Sequence, residues 1–121
     1  MEKNLDKYVK GLFLEHGKKI KFKVGQSVSS DMYISGSVNY IYSGEARVIF
    51  KENQKLKTLT KIGTGQIIGA ISLLKRAASE DVRASSDLVT IALSDREFKK
   101  FYDNDLKFKN YFDKQSYPSE I

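Results

Sequence analysis

The spacing of apolar residues divides the chain into three kinds of segment. Over residues 4–15, Leu5, Val9, Leu12 and Phe13 share one helical stripe with Lys and Asp elsewhere, which predicts an amphipathic helix ending near Gly17. From Lys18 to Val24 the pattern changes to apolar at every second position, the signature of a half-buried strand that Gly25 breaks. A second short strand around residues 26–30 leads through Asp31-Met32-Tyr33-Ile34 into a Ser35-Gly36-Ser37 turn.

β-Branched and aromatic runs follow. Val38-Asn39-Tyr40-Ile41-Tyr42 and Ala46-Arg47-Val48-Ile49-Phe50 flank Ser43-Gly44-Glu45 and read as a hairpin. A second hairpin through Glu52-Asn53-Gln54-Lys55 pairs the latter run with residues 56–62, and Gly63-Thr64-Gly65 closes it. Val82-Arg83-Ala84 and Leu88 to Leu93 supply two more strands around Ser85-Ser86-Asp87. Many short strands joined by glycine turns predict a Greek-key or jelly-roll β-barrel. Ser94-Asp95-Arg96-Glu97 has the form of a capping box, so a helix should start there and carry Phe98, Phe101 and Tyr102 inward. Asn104 or Asp105 begins a further helix through Phe108, Tyr111 and Phe112, and Pro118 and Ser119 mark a linker-like end. No internal repeat or low-complexity tract stands out.

A length of 121 residues matches one domain with a single core. The expected division is an N-terminal helix at 4–15, a β-barrel at 18–93, C-terminal helices at 94–114 and a tail at 115–121. With 40% hydrophobic and 30% charged residues the composition is globular. No apolar stretch approaches a membrane span and the N-terminus lacks a signal-peptide core, so the chain reads as cytoplasmic. The absence of Cys excludes disulfides, a thiolate nucleophile and a Cys-based zinc site, and His16 alone cannot build a His-rich metal site. The net charge of +6 is spread over lysines interleaved with apolar positions, as on the solvated side of amphipathic elements.

The candidate chemistry lies in Gly65-Gln66-Ile67-Ile68-Gly69-Ala70-Ile71-Ser72-Leu73-Leu74. A glycine turn that opens a short helix with small residues offers unblocked backbone N–H groups and a positive dipole end to an anion. The same pattern also serves simply to turn the chain.

Taken in order, these pieces resemble the cyclic nucleotide-binding domain family, the sensor domain of catabolite activator-like proteins. Val38 to Val48 resembles its apolar strand ending in Ser-Gly, and Leu59 to Gly69 its Leu-Gly-x-Gly turn. Gly69 to Leu74 resembles its phosphate-binding cassette, and Val82-Arg83-Ala84 its Thr-Val-x-Ala strand. The match runs from about Ile20 to Phe101. It implies a mainly β fold with flanking helices: a jelly-roll or double-stranded β-helix barrel with an N-terminal helix, a short cassette helix and C-terminal helices.

The resemblance further implies a ligand site at Gly69, Ala70, Ile71, Ser72 and Ser79, with a pocket wall of Val48, Leu59 and Ile62. The other reading of that wall is barrel core. The implied ligand is a cyclic nucleotide, cAMP or cGMP, or another small anion. The family places a Glu after the second glycine for the ribose hydroxyl and an Arg further on for the phosphate. Here those positions hold Ala70 and, aligning back from Val82, Ala78, while the loop between Leu74 and Val82 is about two residues short. Lys75 and Arg76 are near enough in sequence to substitute, although their place after the leucine pair points to solvent, and Arg83 reads as an exposed strand side chain. Each charge-assisted hydrogen bond contributes about 1.5–3 kcal/mol. Loss of both clamps therefore weakens a micromolar site by roughly two to four decades.

Two functions fit. One is a regulatory, ligand-sensing domain whose cyclic nucleotide binding is weak, altered or lost. The other is a structural or protein-interaction module whose aromatic C-terminal helices meet an effector domain, a partner protein or a second copy. No nucleophile and base combination stands out, so the chain is not read as an enzyme. Too few residues follow the capping box for a dimer helix plus a DNA-binding helix-turn-helix. A fragment of a larger transporter, channel, kinase or transcription factor and a stand-alone subunit both remain compatible.

Overall fold

The computed structural model describes residues 2–30, 36–76 and 80–114. Helix α1 (Glu2–His16) leads into β1 (Lys18–Phe22), β2 (Ser27–Ser29), β3 (Ser37–Ser43), β4 (Ala46–Glu52), β5 (Lys55–Ile62) and β6 (Ile67–Ile68). The short helix α2 (Ala70–Lys75) precedes β7 (Asp81–Ala84) and β8 (Leu88–Ser94), and α3 (Asp95–Asn104) and α4 (Leu106–Lys114) follow. The segments at 31–35 and 115–121 discussed above lie outside the described residues.

The strands form two four-stranded antiparallel sheets, ordered β1-β8-β3-β6 and β2-β7-β4-β5. This is a mainly β fold with flanking helices and a jelly-roll-like sandwich. Among the described residues the sheets do not join into a closed barrel.

The hairpin expected between residues 38 and 50 is corrected. β3 pairs with β6 and β8, whereas β4 pairs with β5 and β7, so the chain changes sheets at Gly44 and Glu45. Burial explains the crossing, because Ile41 from β3 and Ala46 and Val48 from β4 fill one core cluster between the sheets. A hairpin would instead set them side by side. Gly44 makes the crossing with φ +95°, and a Cβ there would stand 2.3 Å from the Asp87 carbonyl oxygen, so no other residue fits without displacement. The β4–β5 hairpin forms as expected, with Asn53 and Gln54 at φ 52° and 66° in its turn.

A small repetition escaped the sequence reading. Lys23-Val24-Gly25-Gln26 and Gly63-Thr64-Gly65-Gln66 are the same turn. In each, the Gln N–H donates to the carbonyl of the first residue, and the Gln Oε1 accepts from that residue's N–H at 2.6 and 2.8 Å. Each turn joins a strand of one sheet to a strand of the other.

Two cores result. Between the sheets lie Ile41, Ala46, Val48, Ile68, Val82, Ala84 and Leu88. Outside the β1-β8-β3-β6 sheet, the helices bury Val9, Phe13, Phe98, Phe108 and Phe112 against Val38, Tyr40, Ile91 and Leu93. The alternation of β3 and β8 sends successive side chains to these two cores in turn. β1 is shorter than the strand expected over residues 18–24, ending at Phe22 with Val24 in the turn that follows; Phe22 packs against the inner core, while Ile20 stays 37% exposed. An edge strand with only β8 beside it has one flank uncovered.

Ser94 caps α3 as its pattern requires, its Oγ accepting from the Glu97 N–H at 3.1 Å. Asp105 does the same for α4 through the Phe108 N–H at 3.1 Å.

Candidate functional site

The glycine turn before α2 is built by pairing. Ile41 donates its N–H to the Gln66 carbonyl, and its own carbonyl accepts from Gly65, each at 2.9 Å, before β6 pairs Ile68 with Asn39. Gly69 then enters α2 at φ +97°, a left-handed N-cap that Gly adopts without steric cost. No side chain caps this helix and no acid lies in its first turn. One turn back from these N–H groups the helix itself supplies no carbonyl, so the positive end of its dipole points toward the glycine turn. The Leu73 N–H closes the first turn onto the Gly69 carbonyl at 3.3 Å. Arg76 ends α2 in a left-handed conformation at φ 51°, its N–H donating to the Ser72 carbonyl.

Of the residues named from sequence, Gly69, Ala70, Ile71 and Ser72 come together at the start of α2, with Ala70 and Ser72 buried. Ser79 and Ala78 lie outside the described residues. Val48 is buried between the sheets and Ile62 packs against the same cluster. Leu59 does not join them and is 56% exposed. The register explains this: Val48 faces Thr60 and Ile49 faces Thr58, so Leu59 is the extra residue of a β-bulge on the edge strand. Lys75 and Arg76 are exposed at the end of α2. Arg83 alternates with Val82 and Ala84, both in the inner core, so it stands on the outer face, 3.9 Å from Asp81.

Ala70 and Leu73 belong to the helix-side core together with Phe98 and Phe108. The cassette helix is therefore packed into the same cluster as α1, α3 and α4. Around that cluster, polar pairs tie the helices together. The Tyr8 hydroxyl donates to Asp105, the Tyr102 hydroxyl to Asp113, and Lys109 Nζ to Asp113 at 2.9 Å.

These contacts shift several groups. Burial acts to raise Asp105, but hydrogen bonds from Tyr8 and the backbone of Phe108 and Lys107 outweigh it and hold the carboxyl below its ordinary range. Lys109 and then Tyr102 lower Asp113. Tyr111 is pushed up to about 12, first by burial and then by the charge of Asp6. Burial raises the Glu80 carboxyl, and the Glu80 backbone carbonyl accepts from Ser29 Oγ at 2.6 Å.

One polar pair was missed. Thr90 Oγ1 donates to Asn39 Oδ1 at 2.7 Å with both residues buried on the inner side of the helix-covered sheet, one register step from the cassette. The only signal was a polar residue inside each apolar run, at Asn39 and Thr90. Among the described residues no group of three metal-binding side chains occurs.

Two sheets of this order, helices outside one of them, and a glycine-opened helix between β6 and β7 define a ligand-sensor class of fold. The family profile of the cyclic nucleotide-binding domain matches residues 19–105, and the chain belongs to that family. Its fold is similar to the catabolite activator protein of Thermus thermophilus at a TM-score of 0.76 and 18% identity, covering 88% of this chain and 51% of that one. A regulatory subunit of a cAMP-independent protein kinase A from Trypanosoma brucei matches at a TM-score of 0.66 and 20% identity, covering 88% of this chain and 44% of that one. That relative is a triple mutant, including a threonine-to-arginine replacement, bound to cAMP in its A site. An EAL enzyme in its cAMP-bound form matches at a TM-score of 0.66 and 17% identity, over 72% of this chain and 24% of that one. Against curated protein sequences no match is found. The chain thus spans about half the length of the catabolite activator protein, 51%, and less of the other two. Among the described residues no helix is long and apolar enough to cross a membrane.

Proposed function

We propose that the chain is a regulatory, ligand-sensing unit of the cyclic nucleotide-binding family whose affinity for standard cyclic nucleotides is weakened. The observation that carries this reading is Ala70. It stands at the first helical position after Gly69, where the family resemblance calls for the ribose-binding Glu, and it is 1% exposed within an apolar cluster. A methyl group there accepts no hydroxyl proton, and Lys75, Arg76 and Arg83 all lie at the surface or on the outer sheet face. What remains at Gly69 to Ser72 suits a small anion or a cyclic nucleotide held mainly by backbone donors.

Sensing requires that a ligand at α2 be felt elsewhere. The shared burial of Ala70 and Leu73 with Phe98, Phe108 and Phe112 supplies that link, from cassette to C-terminal helices. An effector domain or partner protein contacting α3 and α4 would receive the signal, in a cytoplasmic, non-enzymatic unit. Self-association has less to draw on, since those three rings are buried in the helix-side core. Titration calorimetry with cAMP and cGMP tests the proposal. Dissociation constants weaker than about 100 μM are expected, two or more decades from a micromolar site. Submicromolar binding of either nucleotide would overturn it.

A further inference from the structure

The outer face of the β2-β7-β4-β5 sheet carries a line of cations set by strand register. Ser27 faces Arg83, Arg83 faces Arg47, and Arg47 faces Lys61. Neighbouring strands lie about 4.8 Å apart, so three basic side chains stand side by side. They lie on the face opposite Ala46, Val48, Val82 and Ala84, which fill the interior. Asp81 sits two residues from Arg83 on the same strand face and approaches its Nε at 3.9 Å.

Arg47 is different from its neighbours. Its Nε is buried and has no hydrogen-bond partner. Buried donors are nearly always satisfied in folded proteins, so an unsatisfied one calls for an explanation. Edge protection by charge accounts for lysines on β5, such as Lys55 and Lys57, but not for an arginine on an inner strand. Lys61 makes no ion pair among the described residues, and the approach of a carboxylate to this line among them is that of Asp81 to Arg83.

We propose that Arg47, Arg83 and Lys61 form an oxyanion site of the phosphate class on this outer face, separate from the turn at Gly69. The planar guanidinium fork matches two oxygens of a phosphate, and Lys61 adds a point charge beside it. A small oxyanion can bridge the ends of these side chains, which strand register holds in one row. The site does not depend on what the cassette binds.

Nuclear magnetic resonance titration with inorganic phosphate, at constant ionic strength set by chloride, tests this. Saturable shifts are expected in the amides of residues 46–48, 60–62 and 82–84. Arg47→Met, which keeps the aliphatic stem, should weaken binding at least tenfold, and Arg47→Lys should weaken it as well by removing the fork. Arg96→Met on α3 should leave it unchanged. A parallel titration with glycerol phosphate separates the sources: equal affinity assigns a phosphomonoester, and loss of affinity assigns the free ion. If Arg47→Met fails to fold, Arg83→Met carries the same expectation from a more exposed position. Shifts confined to residues 69–73, shifts that rise linearly without saturation, or affinity unchanged by both Arg47→Met and Arg83→Met would overturn the proposal.

Discussion

The two sheets share a core yet are used differently. In the β1-β8-β3-β6 sheet, β8 is buried on both sides, toward Leu88 and Thr90 inside and toward Ile91 and Leu93 under the helices. In the β2-β7-β4-β5 sheet the inner face is buried and the outer face is mixed, with Ile49 buried near Arg47; β5 is exposed along all of its length except Ile62. Stability is therefore concentrated where helices cover a sheet, because burial on both faces removes the most apolar area from water. The uncovered sheet keeps a face on which charged side chains can stand, and the cassette helix sits where the two regions meet.

This contrast can be broken at its strongest point first. Phe108 is fully buried and its ring packs on Phe13, Phe98, Phe101 and Phe112. Phe108→Ala should cost about 3–5 kcal/mol in urea denaturation, a large part of the stability of a domain this size. A loss below about 1 kcal/mol would mean the helices are not part of the main core. Next comes the junction. Ala70→Glu places a carboxylate in an apolar cluster and should cost about 3 kcal/mol. The melting temperature should fall and stay low when cAMP is added; recovery with cAMP would show that position 70 faces a ribose after all.

Ser94→Ala removes the α3 cap at the end of the covered sheet and should cost about 1 kcal/mol, readable in the same denaturation experiment. A smaller effect is tied to pH. Because hydrogen bonds from Tyr8 and the backbone hold the Asp105 carboxyl below its ordinary range in the folded chain, the group stabilises the fold at pH values above that range. That contribution is lost as pH falls through the folded pKa. Tyr8→Phe should move the Asp105 carboxyl back toward 3.8 in a carbon-detected titration, and an unchanged value would remove Tyr8 from the account. On the uncovered sheet, Leu59→Ser should change stability by no more than about 0.5 kcal/mol, since the side chain is already in water. A larger loss would restore Leu59 to the pocket wall.

Much of the fold was legible from periodicity and local chemistry. The stripe through Val9 and Phe13 produced α1, Ser94 and Glu97 marked the start of α3, and of the rings expected inward Phe98 is buried while Phe101 and Tyr102 are half-buried against the same core. Such signals are local, resting on one turn of helix or one hydrogen bond. The cassette was visible for the same reason, through Gly69 and the small residues behind it. The line of Arg47, Arg83 and Lys61 was not, because residues 36 positions apart become neighbours only through strand register.

The sequence by itself determined where strands and helices begin, which faces are apolar, and that Ala70 carries no carboxylate. Only the tertiary structure decided how the strands are partnered. From sequence alone, β3 and β4 looked like a hairpin, since two β runs around a glycine have that form. The structure sends them to opposite sheets because Ile41, Ala46 and Val48 bury more by facing one another across the interior than by lying side by side. It also decided that Leu59 leaves the wall at a bulge and that Arg83 faces outward. Pairing and bulges depend on contacts between distant segments, and no periodicity within a single segment records them.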